Sequence, residues 1–270
     1  MSVTSTVRRA LAGQARRGLA LLVCFTCLAG TAPRAFGGTY SVDPVRVSLS
    51  ARAPLASMTV RNTGLEASVI QVETVSWSQS SGRVSLEPTR DVLATPPLFT
   101  VPPGGMQLIR LGLRRPADAQ RELTYRIILH EVLAPAPAAS GLRVALDVSI
   151  PIFVKPLVPC APSLQWHLSR GTNGELRLDV ANSGTAHIRL ETLEVAMANV
   201  SRPLLKQSLS AYLLVNDMRS WTLDPTLPTP SGPVIIQAKT DAGNIESHVQ
   251  LENASAPSDA AGPTPVAQAP

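Results

Sequence analysis

The chain has 270 residues, of which 44% are hydrophobic and 16% charged, a composition that fits one large or two ordinary packed domains and excludes a wholly disordered protein. Its formal net charge is +5. The arginines behind this excess lie near the N-terminus, in a segment that looks removable, so the charge gives no support for a nucleic-acid partner.

Residues 1–37 have the layout of a secretory signal peptide. Arginines precede an apolar run at residues 18–32, and no acidic residue occurs before Asp43. The run is too short for a membrane-spanning helix, so we expect no membrane span in the mature chain. Loss of the segment leaves equal numbers of acidic and basic residues, because it removes Arg8, Arg9, Arg16, Arg17 and Arg34. We therefore expect an exported protein with almost no net charge.

From residue 40 onward the sequence reads as short alternating strands between clusters of Pro, Gly, Asn and Ser, which predicts an all-β protein. A first domain is predicted at residues 38–156, because prolines break the chain after it. Its predicted strands are residues 45–50, 57–61, 69–77, 84–86, 98–101, 107–113, 124–132 and 142–153.

A second domain is predicted at residues 157–251. Its predicted strands are residues 164–168, 176–181, 187–195, 212–215, 220–223, 234–238 and 245–251. Each half thus has the size and strand number of an immunoglobulin-like β-sandwich. Residues 252–270 carry almost no large apolar side chain, so we expect a disordered tail.

The strand at residues 142–153 has the most regular pattern in the chain. Apolar residues occupy every second position, namely Leu142, Val144, Leu146, Val148 and Ile150. Since side chains alternate between the two faces of a strand, these five form one apolar face. That face needs a hydrophobic partner along its whole length, which is either the core of the protein itself or a groove on another chain.

Motifs for catalysis are absent from the sequence. It contains no nucleophile elbow, phosphate-binding loop or dinucleotide-binding fingerprint, and its four histidines show no metal-ligand spacing. We therefore expect a binding protein that is not an enzyme and needs no cofactor. An exported hydrolase would need one of the histidines close to a nucleophile.

Several segments together resemble the periplasmic pilus chaperones of the chaperone–usher pathway. In the first half these are SVDPVRVSLS, MTVRNTG, ATPPLFTVPPGGMQLIRLGL, ELTYRIILHEV and GLRVALDVSIPIFVKP. In the second half they are VANSGTAHIRLETLEV, AYLLVNDMRSWTL and IIQAKTDAG. The ending IPIFVKP is most similar to the archaic branch of that family.

This resemblance implies two immunoglobulin-like domains set at an angle with a cleft between them. It also implies a periplasmic chaperone that binds and stabilises pilus or adhesin subunits and delivers them to an outer-membrane usher. By position, Leu142, Val144, Leu146, Val148 and Ile150 would form the strand that is lent to the subunit. The alternative is a secreted two-domain adhesin or structural protein that keeps its strand edges to itself.

The resemblance further implies basic residues that bind the C-terminal carboxylate of the subunit. The family's first-strand arginine matches Arg46, whereas its donor-strand lysine matches Pro151, which has no charge. Arg110 is the candidate for the second cation. Three family positions that join the domains by ion pairs fall on Glu122, Lys155 and Asp241.

Overall fold

The computed structural model describes residues 40–133, 144–171, 174–197, 202–223, 230 and 232–252. The predicted signal peptide and the tail beyond Glu252 lie outside the described residues. Within them the secondary structure consists of strands and turns, and no helix is long and apolar enough to cross a membrane. The all-β class predicted from the sequence is confirmed.

Ten strands form the first sandwich: β1 (Tyr40–Asp43), β2 (Val47–Ser50), β3 (Leu55–Asn62), β4 (Ser68–Ser80), β5 (Arg83–Pro88), β6 (Val92–Thr95), β7 (Leu98–Val101), β8 (Met106–Leu113), β9 (Leu123–Val132) and β10 (Asp147–Lys155). One sheet has the order β1-β3-β8-β6 and the other β2-β10-β9-β4-β5, with β7 paired to β4. The N-terminal stretch therefore changes sheets between β1 and β2.

The core of the first sandwich lies between these two sheets. Alternate residues of the strands point inward, as the period of two requires. Met58, Val60, Ile109 and Leu111 come from one sheet, and the opposite sheet contributes Val47, Leu49, Ile70, Ile127, Leu129, Ile150, Ile152 and Val154. All of these side chains are at most 3% exposed. Burial of this apolar surface is the main stabilising contribution to the domain.

Eight strands form the second sandwich: β11 (Leu164–Arg170), β12 (Leu176–Asn182), β13 (Ile188–Met197), β14 (Leu205–Leu213), β15 (Met218–Thr222), β16 (Val234–Thr240), β17 (Gly243–Val249) and β18 (Leu251–Glu252). The sheet orders are β15-β12-β11-β18 and β14-β13-β16-β17. A separate apolar core, which includes Leu178, Val180, Leu190 and Leu193, lies between them. The described residues of both sandwiches belong to one compact unit.

The β4–β5 hairpin reaches from the first sandwich to the second. Its turn uses Ser81 and Gly82, both at positive φ, which suits a tight two-residue connection. The Gly82 N–H donates to Asp217 Oδ1 over 3.2 Å, and the backbone N–H of Leu214 donates to Gln79 Oε1 over 3.0 Å. The hairpin tip thus contacts the turn between β14 and β15.

Candidate functional site

The N-terminal half of β10 is an open strand edge. On one side, Asp147 to Val154 pair antiparallel with His130 to Leu123 of β9. On the other side, pairing with β2 begins only at Ile152, which lies opposite Val47 in a parallel register. Among the described strands, Asp147–Pro151 therefore have one neighbour only. Such an edge presents unpaired N–H and C=O groups to any chain that can extend the sheet.

The predicted apolar series runs from the core of the first sandwich out along this edge. Ile150 is 3% exposed and belongs to the core, and Val148 packs against it. Leu146 is half-buried, whereas Val144 is 50% exposed. Leu142 lies outside the described residues. The series therefore passes from buried to exposed as it is followed towards the N-terminus of the strand.

Hydrogen bonds at Leu146 tie the start of the open edge to the first sandwich. Its carbonyl accepts from the Glu131 N–H over 2.9 Å and from the Tyr40 hydroxyl over 3.1 Å. The Leu146 N–H donates to Glu131 Oε2 over 3.2 Å. Burial, together with the nearby charges of Glu131 and Asp147, raises the pKa of Tyr40 to about 12, so its hydroxyl stays a donor at neutral pH.

The other end of β10 runs into an aromatic contact between the two sandwiches. Trp77 and Phe153 of the first sandwich are buried against Leu214 of the second, with Tyr212 packed beside them. The rings of Trp77 and Tyr212 meet edge to face with centroids 5.3 Å apart. This geometry is favourable because the edge of one ring meets the electron-rich face of the other. The contact places the open edge close to the second sandwich.

A polar network lies beside these aromatic rings. His187 Nδ1 is 2.5 Å from Glu122 Oε2, and its ring stacks on Phe153 with the centroids 3.5 Å apart. His187 Nε2 is 3.9 Å from Asp241 Oδ2, which also receives Arg46 Nη1 at 2.7 Å. The His187 backbone N–H donates to Glu122 Oε2 as well. Two carboxylates are thus joined through one imidazole.

The structure brings two of the three predicted network residues together. Glu122 and Asp241 both contact His187, but Lys155 is exposed, and the described ion pairs do not include it. His187 was not among the residues singled out in the sequence. No local pattern marked it, because its partner Glu122 lies 65 residues away in the sequence.

Arg46 contacts the network through Asp241, although the strand around it differs from the prediction. The sequence predicts a strand from residue 45, with Val45 and Val47 on one face. In the structure Val47 is 2% exposed but Val45 is 72% exposed, because β2 begins only at Val47. Pro44 lacks an N–H and separates β1 from β2, which breaks the alternation at this point.

Arg110 lies on β8 in the other sheet of the first sandwich. It is exposed and sits between Ser57 of β3 and Thr95 of β6. The ion pairs of the described residues do not join it to Arg46 or Asp241. Its role as a second cation remains a prediction without a contact in its favour.

The remaining histidines make local contacts. His130 Nδ1 is 2.9 Å from Asp147 Oδ1, and His167 and His248 each face a glutamate on the surface. In the described part of the chain, no group of three His, Cys, Asp or Glu residues could hold a metal ion.

Comparisons with known proteins agree with this architecture. Residues 39–158 match the family model described as pili and flagellar-assembly chaperone, PapD N-terminal domain. No curated protein matches the chain significantly.

Solved structures with the same fold come from several pilus systems. A chain in the CsuC–CsuE chaperone–tip adhesion subunit pre-assembly complex of archaic Csu pili from Acinetobacter baumannii has a TM-score of 0.61 at 18% identity, over 79% of this chain and 99% of that one. The E. coli chaperone DraB has a TM-score of 0.54 at 20% identity, over 78% and 97%. A chain in the complex of the Salmonella enterica SafA pilin with the SafB chaperone has a TM-score of 0.55 at 18% identity, over 80% and 98%.

The likeness extends over both sandwiches, and the family match covers the one that carries the open edge. The resemblance noted in the sequence is confirmed. Residues 39–158 are thus similar to the N-terminal domain of pilus and flagellar-assembly chaperones, and both sandwiches share the fold of the solved chaperones.

Proposed function

We propose that this protein is a periplasmic chaperone that holds pilus or adhesin subunits by lending them the N-terminal part of β10 and then passes them to an outer-membrane usher. The observation that carries the proposal is the open edge at Asp147–Pro151, from which an apolar series continues outward to the exposed Val144. The match of residues 39–158 to the chaperone family model and the signal-like N-terminus support the same conclusion.

The mechanism is strand addition. A subunit strand that pairs with the free side of β10 gains main-chain hydrogen bonds along its length, while the apolar side chains of the series enter its open groove. The alternation fixes the register, because a slip by one residue would turn every apolar side chain to the wrong face. No covalent bond changes, so the activity needs neither a cofactor nor ATP, and exchange with another subunit's strand would release the complex.

The interface between the sandwiches has two roles in this proposal. The network of Glu122, His187 and Asp241 holds the second sandwich beside the end of the donor strand. Arg46, whose side chain is 46% exposed, would bind the C-terminal carboxylate of the subunit with its free guanidinium N–H groups while it remains paired with Asp241.

A charge placed in the exposed part of the series tests the proposal. Val144→Asp should leave the protein folded, since Val144 is already half exposed, but should abolish its ability to keep a co-expressed subunit soluble. An unpaired carboxylate in an apolar groove costs several kcal/mol. Ala145→Asp is the matched control, because it adds the same charge at the next position, on the opposite face of the expected strand.

Two outcomes are informative. Loss of subunit capture with Val144→Asp but not with Ala145→Asp supports the donor-strand function. Undiminished capture by the Val144 variant contradicts it and favours a protein that keeps its strand edges to itself.

A further inference from the structure

The hydrogen bonds at Leu146 differ from those of a regular antiparallel ladder. The paired register of β9 and β10 ends where Asp147 lies opposite His130, so Glu131 and Leu146 are the next pair. In a regular pair of this kind each residue donates its N–H to the carbonyl of the other. The Glu131 N–H does donate to the Leu146 carbonyl, but the Leu146 N–H donates to the carboxylate oxygen Oε2 of Glu131. A side chain thus supplies the acceptor for the return bond.

The Glu131 carboxylate is itself held by a neighbouring strand. Its other oxygen, Oε1, accepts from the hydroxyl of the buried Ser68 on β4 over 3.3 Å. The Glu131 side chain is partly buried. An ionised carboxylate is a stronger acceptor than a carbonyl. The position of the Leu146 N–H is therefore set by Glu131 and, through Ser68, by β4.

The Leu146 carbonyl is held from the opposite sheet as well. The Tyr40 hydroxyl donates to it over 3.1 Å and lies 3.3 Å from the Leu129 carbonyl. Tyr40 belongs to β1, which is part of the other sheet of the first sandwich. Contacts from β1, β4 and β9 therefore meet at Leu146, which is fixed through both of its main-chain polar groups.

The orientation of Leu146 decides where the next main-chain groups point. Successive residues of a strand turn their N–H and C=O groups to opposite edges, so the groups of Asp147 face the open side when those of Leu146 face β9. Asp147 and Ser149 supply the free N–H groups of this edge, because Pro151 has none. The first free donor of the edge thus directly follows the residue that Glu131 holds.

Resting on the donor-strand function proposed above, we propose that Glu131 is a positioning residue for subunit capture, which holds Leu146 so that a subunit strand meets an edge already formed at Asp147. Ordering a backbone residue costs conformational entropy, and an edge that is ordered in advance does not lose this free energy on binding. Without the Glu131 carboxylate, only a fraction of the molecules would present the edge. The apparent affinity would fall by that fraction.

Amide hydrogen exchange in the free protein tests the first step. Glu131→Ala should make the Leu146 amide exchange at least about tenfold faster, because its N–H loses its acceptor. Glu131→Gln should restore most of the protection, since its amide oxygen can accept this N–H while its NH2 group donates to the Ser68 hydroxyl. The amides of Val148 and Ile150 pair with the main chain of β9 and should stay unchanged. Unaltered exchange of Leu146 in Glu131→Ala overturns the proposal.

Peptide binding tests the second step. The probe is a short peptide of alternating valine and threonine, acetylated at one end and amidated at the other so that neither terminus carries a charge. Glu131→Ala should bind it about five- to tenfold more weakly than the unaltered protein, mainly through slower association. Glu131→Gln should stay within about twofold of the unaltered protein, because it keeps the acceptor. An equal loss of affinity in both variants contradicts a positioning role.

Glu73→Ala is the matched control, since it removes a carboxylate from the adjacent strand β4 that contacts His130 and not Leu146. It should change neither the exchange of the Leu146 amide nor the affinity for the peptide. Faster exchange in Glu131→Ala with unchanged affinity overturns the positioning role, and so does an equal loss of affinity in Glu73→Ala. Failure of the unaltered protein to bind the peptide contradicts the donor-strand function itself, whereas the exchange of Leu146 still decides whether Glu131 fixes the edge.

Discussion

At the scale of single residues, His187 contacts the two carboxylates that the family resemblance groups with Lys155. Glu122 is buried, with 4% of its side chain exposed, and its carboxylate contacts both the ring and the backbone of His187. His187→Gln should lower the free energy of unfolding by about 1 to 3 kcal/mol, the usual range when a buried charged acceptor loses its partner. Urea unfolding at neutral pH measures the change.

A double-mutant cycle makes this prediction specific. Glu122→Gln and His187→Gln should be non-additive by at least about 0.5 kcal/mol, because each removes the same contact. Additive effects would mean that the contact contributes nothing to stability.

Lys155 provides the contrasting prediction. Its side chain is exposed and takes no part in the described ion pairs, so Lys155→Ala should change the free energy of unfolding by no more than about 0.5 kcal/mol. The same urea titration measures it. A loss comparable to that of His187→Gln would restore Lys155 to the network that the family resemblance implies.

At the scale of strands, the two halves of β10 should differ in amide hydrogen exchange. Ile152–Val154 lie between β2 and β9, so their amides should be protected in the isolated protein. Between Asp147 and Ile150 only the amides that point towards β9 have a partner, and every second amide should exchange rapidly. Nuclear magnetic resonance of the free protein resolves these positions.

Binding of a subunit should then protect the rapidly exchanging amides without changing those of Ile152–Val154. Full protection of the whole strand in the isolated protein would show that the edge is already covered. In that case the donor-strand function would be wrong.

Alternation was enough to predict strands with one buried face, but it failed at β14, an edge strand whose first half is exposed. The predicted segments at residues 107–113 and 124–132 coincide closely with β8 and β9, whose buried residues alternate. In contrast, β14 extends over Leu205–Leu213, whereas the prediction covered residues 212–215. Lys206, Gln207 and Ser208 are exposed at this sheet edge, so no alternation marks them as a strand.

The sequence likewise predicted only some residues of the candidate site. The apolar series is a local pattern, and the structure places its described members where a period of two puts them. His187 was not predicted as a network residue, because its contacts with Glu122 and Asp241 join residues that are far apart in the sequence. Glu122, for example, is 65 residues from His187.

At the scale of the whole molecule, alkaline pH should weaken the first sandwich selectively. Burial raises the pKa of both Tyr40 and Tyr125 to about 12, with the Asp91 hydrogen bond adding to the effect at Tyr125. Both residues lie in the first sandwich, and the third tyrosine, Tyr212, lies in β14 of the second. Ionisation of a buried phenol would leave a charge in the apolar environment that raised its pKa.

The sign of the effect follows from proton linkage. An unfolded tyrosine releases its proton near pH 10, whereas these two hold theirs to about pH 12 in the folded protein. The folded state therefore binds more protons within this window. Its stability is fully present below pH 10 and decreases as the pH rises to about 12.

Hydrogen exchange followed peptide by peptide across this range should show peptides of the first sandwich losing protection before those of the second. Tyr125→Phe should make the stability of the first sandwich depend less on pH between 10 and 12, because it removes one of the two linked protons. Tyr40→Phe should do the same and should also loosen the start of the open edge, since the hydroxyl of Tyr40 donates to the Leu146 carbonyl. Unfolding of both sandwiches together, with the same pH dependence in the phenylalanine variants, would contradict the assignment of the effect to these two phenols.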